Sequence, residues 1–116
     1  MIVEVRTYTI VPGLRQRFLD LFETRTRPLQ RSLGIQVFGP WLDVEHPDRF
    51  VWLRAFPSWE EREQMKLALY EGSEWTGELE AVMMPMLAEF TSIQIEMGDE
   101  AVAALAAATN EERGTL

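Results

Sequence analysis

The chain has 116 residues, 11 of them basic and 19 acidic for a net charge of -8, with 47% hydrophobic and 26% charged residues, one histidine and no cysteine. That length supports one globular core; the absence of cysteine excludes disulfides, thiolate nucleophiles and sulfur-ligated metals, and a lone histidine excludes a multi-histidine metal site within one subunit. The acidic balance gives nucleic acid no basic surface and no apolar run reaches the roughly 20 residues of a membrane span, so neither partner is expected; Met1 leads into a strand without a signal-peptide pattern, and a cytoplasmic location is expected.

The first element is a strand over residues 2–10, where β-branched and aromatic residues alternate until Pro12-Gly13 breaks the run. One of its faces carries Val3, Val5, Thr7 and Thr9, the other Glu4, Arg6 and Tyr8. The period then changes to that of a helix, with Leu14, Phe18, Leu21, Phe22, Leu29 and Leu33 in a stripe, a bend expected at Pro28 and a stop at Gly34. Arg15, Arg17, Arg25, Arg27 and Arg31 cluster in this helix and read as a solvated face alongside Asp20 and Glu23. Residues 35–44 form a strand interrupted by Gly39-Pro40, which places it at an edge or gives it a bulge.

After a turn at residues 45–48, residues 49–56 repeat the asymmetry of the first strand. Val51, Leu53 and Ala55 are small and aliphatic; Trp52, Arg54 and Phe56 are large or charged. Ser58 and Glu61 form a capping box that starts a helix running to about Tyr70. Residues 74–87 read as a further helix bent near Pro85, and residues 90–97 as the last strand, with Ile93, Ile95 and Met97 on one face and Phe90, Ser92, Gln94 and Glu96 on the other. From Gly98 the chain becomes an acidic, alanine-rich tail. It has helical propensity but little apolar surface to dock, and is expected to be an appendage outside the domain of residues 1–97 and dispensable for its fold.

The order strand, helix, strand, strand, helix, strand predicts an α+β, ferredoxin-like β-α-β-β-α-β fold with a four-stranded antiparallel-type sheet, the first and third strands central and both main helices on one face. The aliphatic half-strands are assigned to the helix layer. The face carrying Glu4, Arg6, Tyr8, Trp52, Arg54 and Phe56 is then left without cover, and a second copy is expected to close over it, two sheets about 10 Å apart enclosing a cavity in a dimeric α/β barrel.

Glu4-Val5-Arg6-Thr7-Tyr8-Thr9 with Pro12-Gly13, Phe22-Glu23 with Pro28-Leu29, Gly39-Pro40-Trp41, Asp48-Arg49 and Glu74-Trp75 together resemble the pattern of the NIPSNAP family over roughly residues 1–97. The resemblance implies membership of the dimeric α/β-barrel superfamily, which also holds antibiotic-biosynthesis monooxygenases and muconolactone isomerases, and it implies a fold and a homodimer more than a reaction. The chain departs from the family in its third strand, where Trp52, Arg54 and Phe56 stand at positions at which many relatives are expected to have histidine, tryptophan and tyrosine.

The cavity candidates divide by chemistry. Arg6 and Arg54 can hold a carboxylate or enolate oxygen, or can pair with Glu4 or Glu96 as structure alone. Tyr8 can donate a proton or orient a ligand oxygen, or be a buried tyrosine with a satisfied hydroxyl, and Gln94 is a further cavity candidate on the same face. Trp41, Trp52 and Phe56 can wall an aromatic-substrate pocket or serve as plain core. His46 reads as a surface turn residue. No metal and no cofactor is expected. Two function classes follow: a protein binding a small aromatic or polyketide-like acid in a cavity of at least roughly 300 Å³, as a cofactor-independent monooxygenase or isomerase, or a non-catalytic interaction or scaffold module whose sheet face is consumed by dimerisation.

Overall fold

The computed structural model describes the backbone of residues 1–114 and the side chains of residues 1–109. Strand β1 (Ile2–Ile10) leads to helix α1 (Arg15–Leu21), which passes through a π-helical turn (Phe22–Thr26) into α2 (Arg27–Ser32). The chain continues through β2 (Gln36–Leu42), β3 (Arg49–Phe56), α3 (Trp59–Tyr70), a second π-helical turn (Trp75–Leu79), α4 (Glu80–Met83), a 3-10 turn (Met84–Met86), β4 (Leu87–Glu96) and α5 (Asp99–Gly114). The sheet has the order β2-β3-β1-β4 with every pair antiparallel, so β1 and β3 are central as the topology argument requires.

The expected bends are found, with causes. Pro28 is the second residue of α2 and has no N–H to return to the preceding turn. The helix widens just before it, and the Thr24 and Thr26 hydroxyls donate to the carbonyls of Asp20 (2.7 Å) and Phe22 (3.2 Å). The serine half of the capping box is present: Ser58 Oγ accepts the amide of Glu61 (3.2 Å), while the Glu61 carboxylate reaches back to the Ser58 hydroxyl (3.0 Å). In β2 the register shifts between Phe38 and Trp41, where Gly39 has φ +90° and the Gly39-Pro40 peptide is cis. A Cβ at Gly39 would lie 2.9 Å from the Trp41 ring, so both the backbone angle and the close indole require glycine.

Two expectations are overturned. The helices cover the opposite face of the sheet from the one assigned to them: Phe18, Phe22, Leu69, Leu79 and Met83 pack with Ile10, Phe50, Trp52 and Phe56, and Tyr8 packs against the same cluster. Size decides this. The helix layer is itself built of large side chains and removes the most apolar surface by burying the aromatic half-strands, while the arginines on that face converge on the buried Glu4 rather than being excluded. No second subunit is needed to cover the aromatic face, and a cleft opens on that face within one chain.

The tail is not an appendage. Val102 is buried, and with Leu105 and Ala106 it packs on Val3, Phe38, Leu53 and Ala55. Those three tail residues stand at i, i+3 and i+4, a narrow stripe, and the alanines around them let the helix lie close to the sheet. The docking is anchored at its start, where Met1 and Met97 exchange hydrogen bonds and the Met1 ammonium lies 3.6 Å from Asp99.

Candidate functional site

Glu4 is fully buried at the centre of the helix-covered face. One carboxylate oxygen accepts from Arg6 Nη1 (2.8 Å) and Arg54 Nε (2.7 Å), the other from Arg62 Nε (2.7 Å). The register of the sheet brings two of these donors in, since Arg54 of β3 lies directly opposite Glu4 and Arg6 lies two residues along β1 on the same face. Arg62 comes from the first turn of α3. Burial alone would raise the Glu4 carboxyl, but the charge and hydrogen bond of Arg54, then the charge of Arg6 and the hydrogen bond of Arg62, outweigh it and hold the group below the ordinary carboxylate value.

The arginines outnumber their buried partner. Arg62 also bonds the exposed Glu63 (2.6 Å), which leaves an excess of positive charge around Glu4 in a chain that is acidic overall. Arg54, only 1% exposed, donates from Nη1 to Gln30 Oε1 (3.1 Å) and the Tyr70 hydroxyl (3.0 Å), while its Nη2 is buried with no hydrogen-bond partner. Arg6 donates from Nε to the Tyr8 hydroxyl and from Nη1 to Ser92 Oγ, both at 3.2 Å, with the Tyr8, Trp52 and Phe90 rings 5.4–5.6 Å away. An unpaired buried guanidinium nitrogen is a costly arrangement unless something accepts from it.

These groups open onto a cleft of about 680 Å³ between the sheet and the helices, lined among others by Arg6, Tyr8, Arg54, Arg62, Lys66 and Tyr70. It shares Tyr8, Arg54, Tyr70, Trp75, Met84 and Leu87 with an inner chamber of about 50 Å³ whose remaining wall is largely apolar, including Phe18, Phe22 and Leu69. Trp52 also lines the chamber, and its indole N–H is buried without an acceptor. The Tyr8 hydroxyl is raised above its ordinary value, first by burial and against the pull of Arg6, so it carries its proton at neutral pH. The arrangement can hold an anion and stabilise negative charge on oxygen. Among the described residues no group of three or more histidine, cysteine, aspartate or glutamate side chains is gathered for a metal.

Of the residues singled out in the sequence, Glu4, Arg6, Tyr8, Trp52 and Arg54 meet at this site. Phe56 is core on the same face, and Gln94 stands exposed on the cleft wall with its amide donating to Ser92 Oγ (2.7 Å). Trp41 is a correction: it pairs opposite Val51 on the aliphatic face, 43% exposed, because the shift at Gly39-Pro40 changes the register of β2. The arginine-rich helix is only in part a solvated face, since Arg25 pairs with Glu78 (2.9 and 3.0 Å) and Arg27 is buried, donating to the carbonyls of Val37 and Gly39. Gln30, Arg62, Lys66 and Tyr70 were missed. For the last three a signal existed: they recur every four residues and so share one face of α3.

Residues 3–92 match the family model described as NIPSNAP. Among solved structures, an uncharacterized NIPSNAP domain protein from Burkholderia xenovorans is 21% identical with TM-score 0.74, over 85% of this chain and 96% of that one. A NIPSNAP family protein from Agrobacterium tumefaciens is 19% identical with TM-score 0.75, over 84% and 93%. A putative antibiotic biosynthesis monooxygenase from Nitrosomonas europaea is 15% identical with TM-score 0.63, over 84% and 98%. At these identities the likenesses concern the fold, which they show to be ferredoxin-like. A comparison with curated proteins finds no match.

Proposed function

The chain belongs to the NIPSNAP family, and from that premise we propose that it binds a small aromatic or polyketide-like acid in the cleft between its own sheet and helices. The observation that carries this reading is that Arg54, which lines a cleft where arginines exceed carboxylates, has in Nη2 a buried cationic donor without a partner. A bound carboxylate or enolate would supply the missing acceptor. The rings of Tyr8, Trp75 and Phe90 in the same cleft suit an aromatic body. Guanidinium and phenol donors aimed at a developing oxyanion are what a cofactor-independent isomerase or monooxygenase needs, and the likeness to antibiotic biosynthesis monooxygenases supports that class of chemistry.

The scaffold alternative required the aromatic face to be consumed by a second copy. The chain's own helices cover that face and leave the cleft open, which favours the ligand reading. Self-association is proposed for the other face, where Ile93 and Ile95 of β4 are 60% and 37% exposed on the half of the sheet that α5 leaves uncovered.

The test is thermal denaturation with phenylacetate against its neutral analogue phenylacetamide. The expected result is a melting temperature that rises with phenylacetate concentration and does not respond to the amide. No response to phenylacetate or to other aromatic carboxylates at millimolar concentration contradicts the reading.

A further inference from the structure

Two phenols line the cleft with their protons uncommitted. The Tyr8 hydroxyl accepts from Arg6 Nε (3.2 Å) and the Tyr70 hydroxyl accepts from Arg54 Nη1 (3.0 Å). A guanidinium can only donate, so each phenol oxygen is the acceptor in that bond and its own O–H is left for a ligand or solvent in the cleft. Among the described residues none takes either proton. The nearby protein acceptors are already engaged: both Glu4 oxygens by arginines, Ser92 Oγ by Arg6 and Gln94, and Gln30 Oε1 by Arg54. Glu80 also lines the cleft, exposed, and accepts from the Trp75 indole (3.0 Å).

The donors are grouped. Tyr70 sits on the same guanidinium whose Nη2 has no partner, so one fork and its phenol offer two donors side by side. Tyr8 offers a third from the sheet, lining both the cleft and the inner chamber together with Tyr70 and Arg54. A simple carboxylate satisfies the first pair and leaves Tyr8 unmatched. We infer that the cleft is built for a 2-oxo or 3-oxo acid, its carboxylate held by Arg54 Nη2 and the Tyr70 hydroxyl and its carbonyl or enolate oxygen held by the Tyr8 hydroxyl.

This deepens the anion-binding reading and rests on it. A site built to hydrogen-bond a ligand group discriminates strongly against the analogue that lacks it, because the buried donor is then left unpaired. The same three donors favour the enolate form of such an acid over its keto form, since the added negative charge falls on the oxygen that Tyr8 contacts.

The experiment is isothermal titration of the intact protein with benzoylformate and with phenylacetate, which differ by one carbonyl oxygen. Benzoylformate is expected to bind at least about tenfold more tightly. In the Tyr8→Phe variant that ratio is expected to collapse toward one, while Tyr70→Phe is expected to weaken both ligands. Equal affinities in the native protein overturn this inference while leaving anion binding intact, and a ratio undiminished in Tyr8→Phe overturns the role of Tyr8. Binding of neither acid overturns the inference and the anion-binding reading together. The native-protein comparison decides even if a variant does not fold.

Discussion

Glu4, itself fully buried, holds three guanidinium groups on two oxygens, so its loss strands cations rather than removing one bond. Glu4→Gln is expected to destabilise the fold by about 3–5 kcal/mol in chemical denaturation. The sign of the pH dependence follows from the direction of its shift. The folded carboxyl titrates below the unfolded one, so as pH falls the unfolded chain takes up the proton first. The stabilisation is complete above about pH 4.3 and disappears as pH falls through the folded value. Denaturation midpoints of the native protein are expected to decline across that window more steeply than those of Glu4→Gln; parallel curves would show that Glu4 is not ionised in the fold. At this scale the first strand was legible, because period 2 alone puts Glu4, Arg6 and Tyr8 on one face. Their α3 partners were less so: Arg62 follows Glu60 and Glu61 in a helix that reads as solvated, and only tertiary packing turns it inward.

Helix α5 and the bulge in β2 are where element patterns misled or informed most. An alanine-rich segment has no strong apolar stripe, and the docking of Val102 depends on a hollow formed by Val3, Phe38 and Ala55, three separate strands that no local pattern connects. Truncation after Met97 is expected to expose that hollow and lower stability by about 3 kcal/mol, a drop in melting temperature of roughly 10 °C; an unchanged melting curve would show that α5 does not hold the sheet. The bulge was legible from Gly39-Pro40, yet its consequence was not, because the number of residues skipped sets which face Trp41 takes. Gly39→Ala is expected to destabilise by about 1–3 kcal/mol, read from urea midpoints, since the new Cβ meets the Trp41 ring at 2.9 Å in a left-handed backbone. Tolerance of alanine there would contradict the observed turn.

For the molecule as a whole, strand order and handedness were readable, while the choice of covered face was not. Alternation marks two unlike faces but does not say which one a crossover helix will meet; that depends on the size of the helix side chains, here Phe18, Phe22, Leu69 and Met83. The consequence reaches the candidate site, because the cleft on the covered face is formed within one chain. Association through Ile93 and Ile95 then leaves the cleft intact, and light scattering is expected to give twice the chain mass of 13.4 kDa. Ile93→Lys should return it to the single mass; a native protein already at single mass would remove the proposed pairing. The most direct test of the cleft itself needs no substitution: 15N–1H spectra of the arginine side chains during titration with phenylacetate. Saturable shifts of the Arg54 guanidinium resonances are expected, with those of Arg27, buried against backbone carbonyls elsewhere, unmoved; an Arg54 signal that stays fixed to millimolar ligand would contradict anion binding in the cleft.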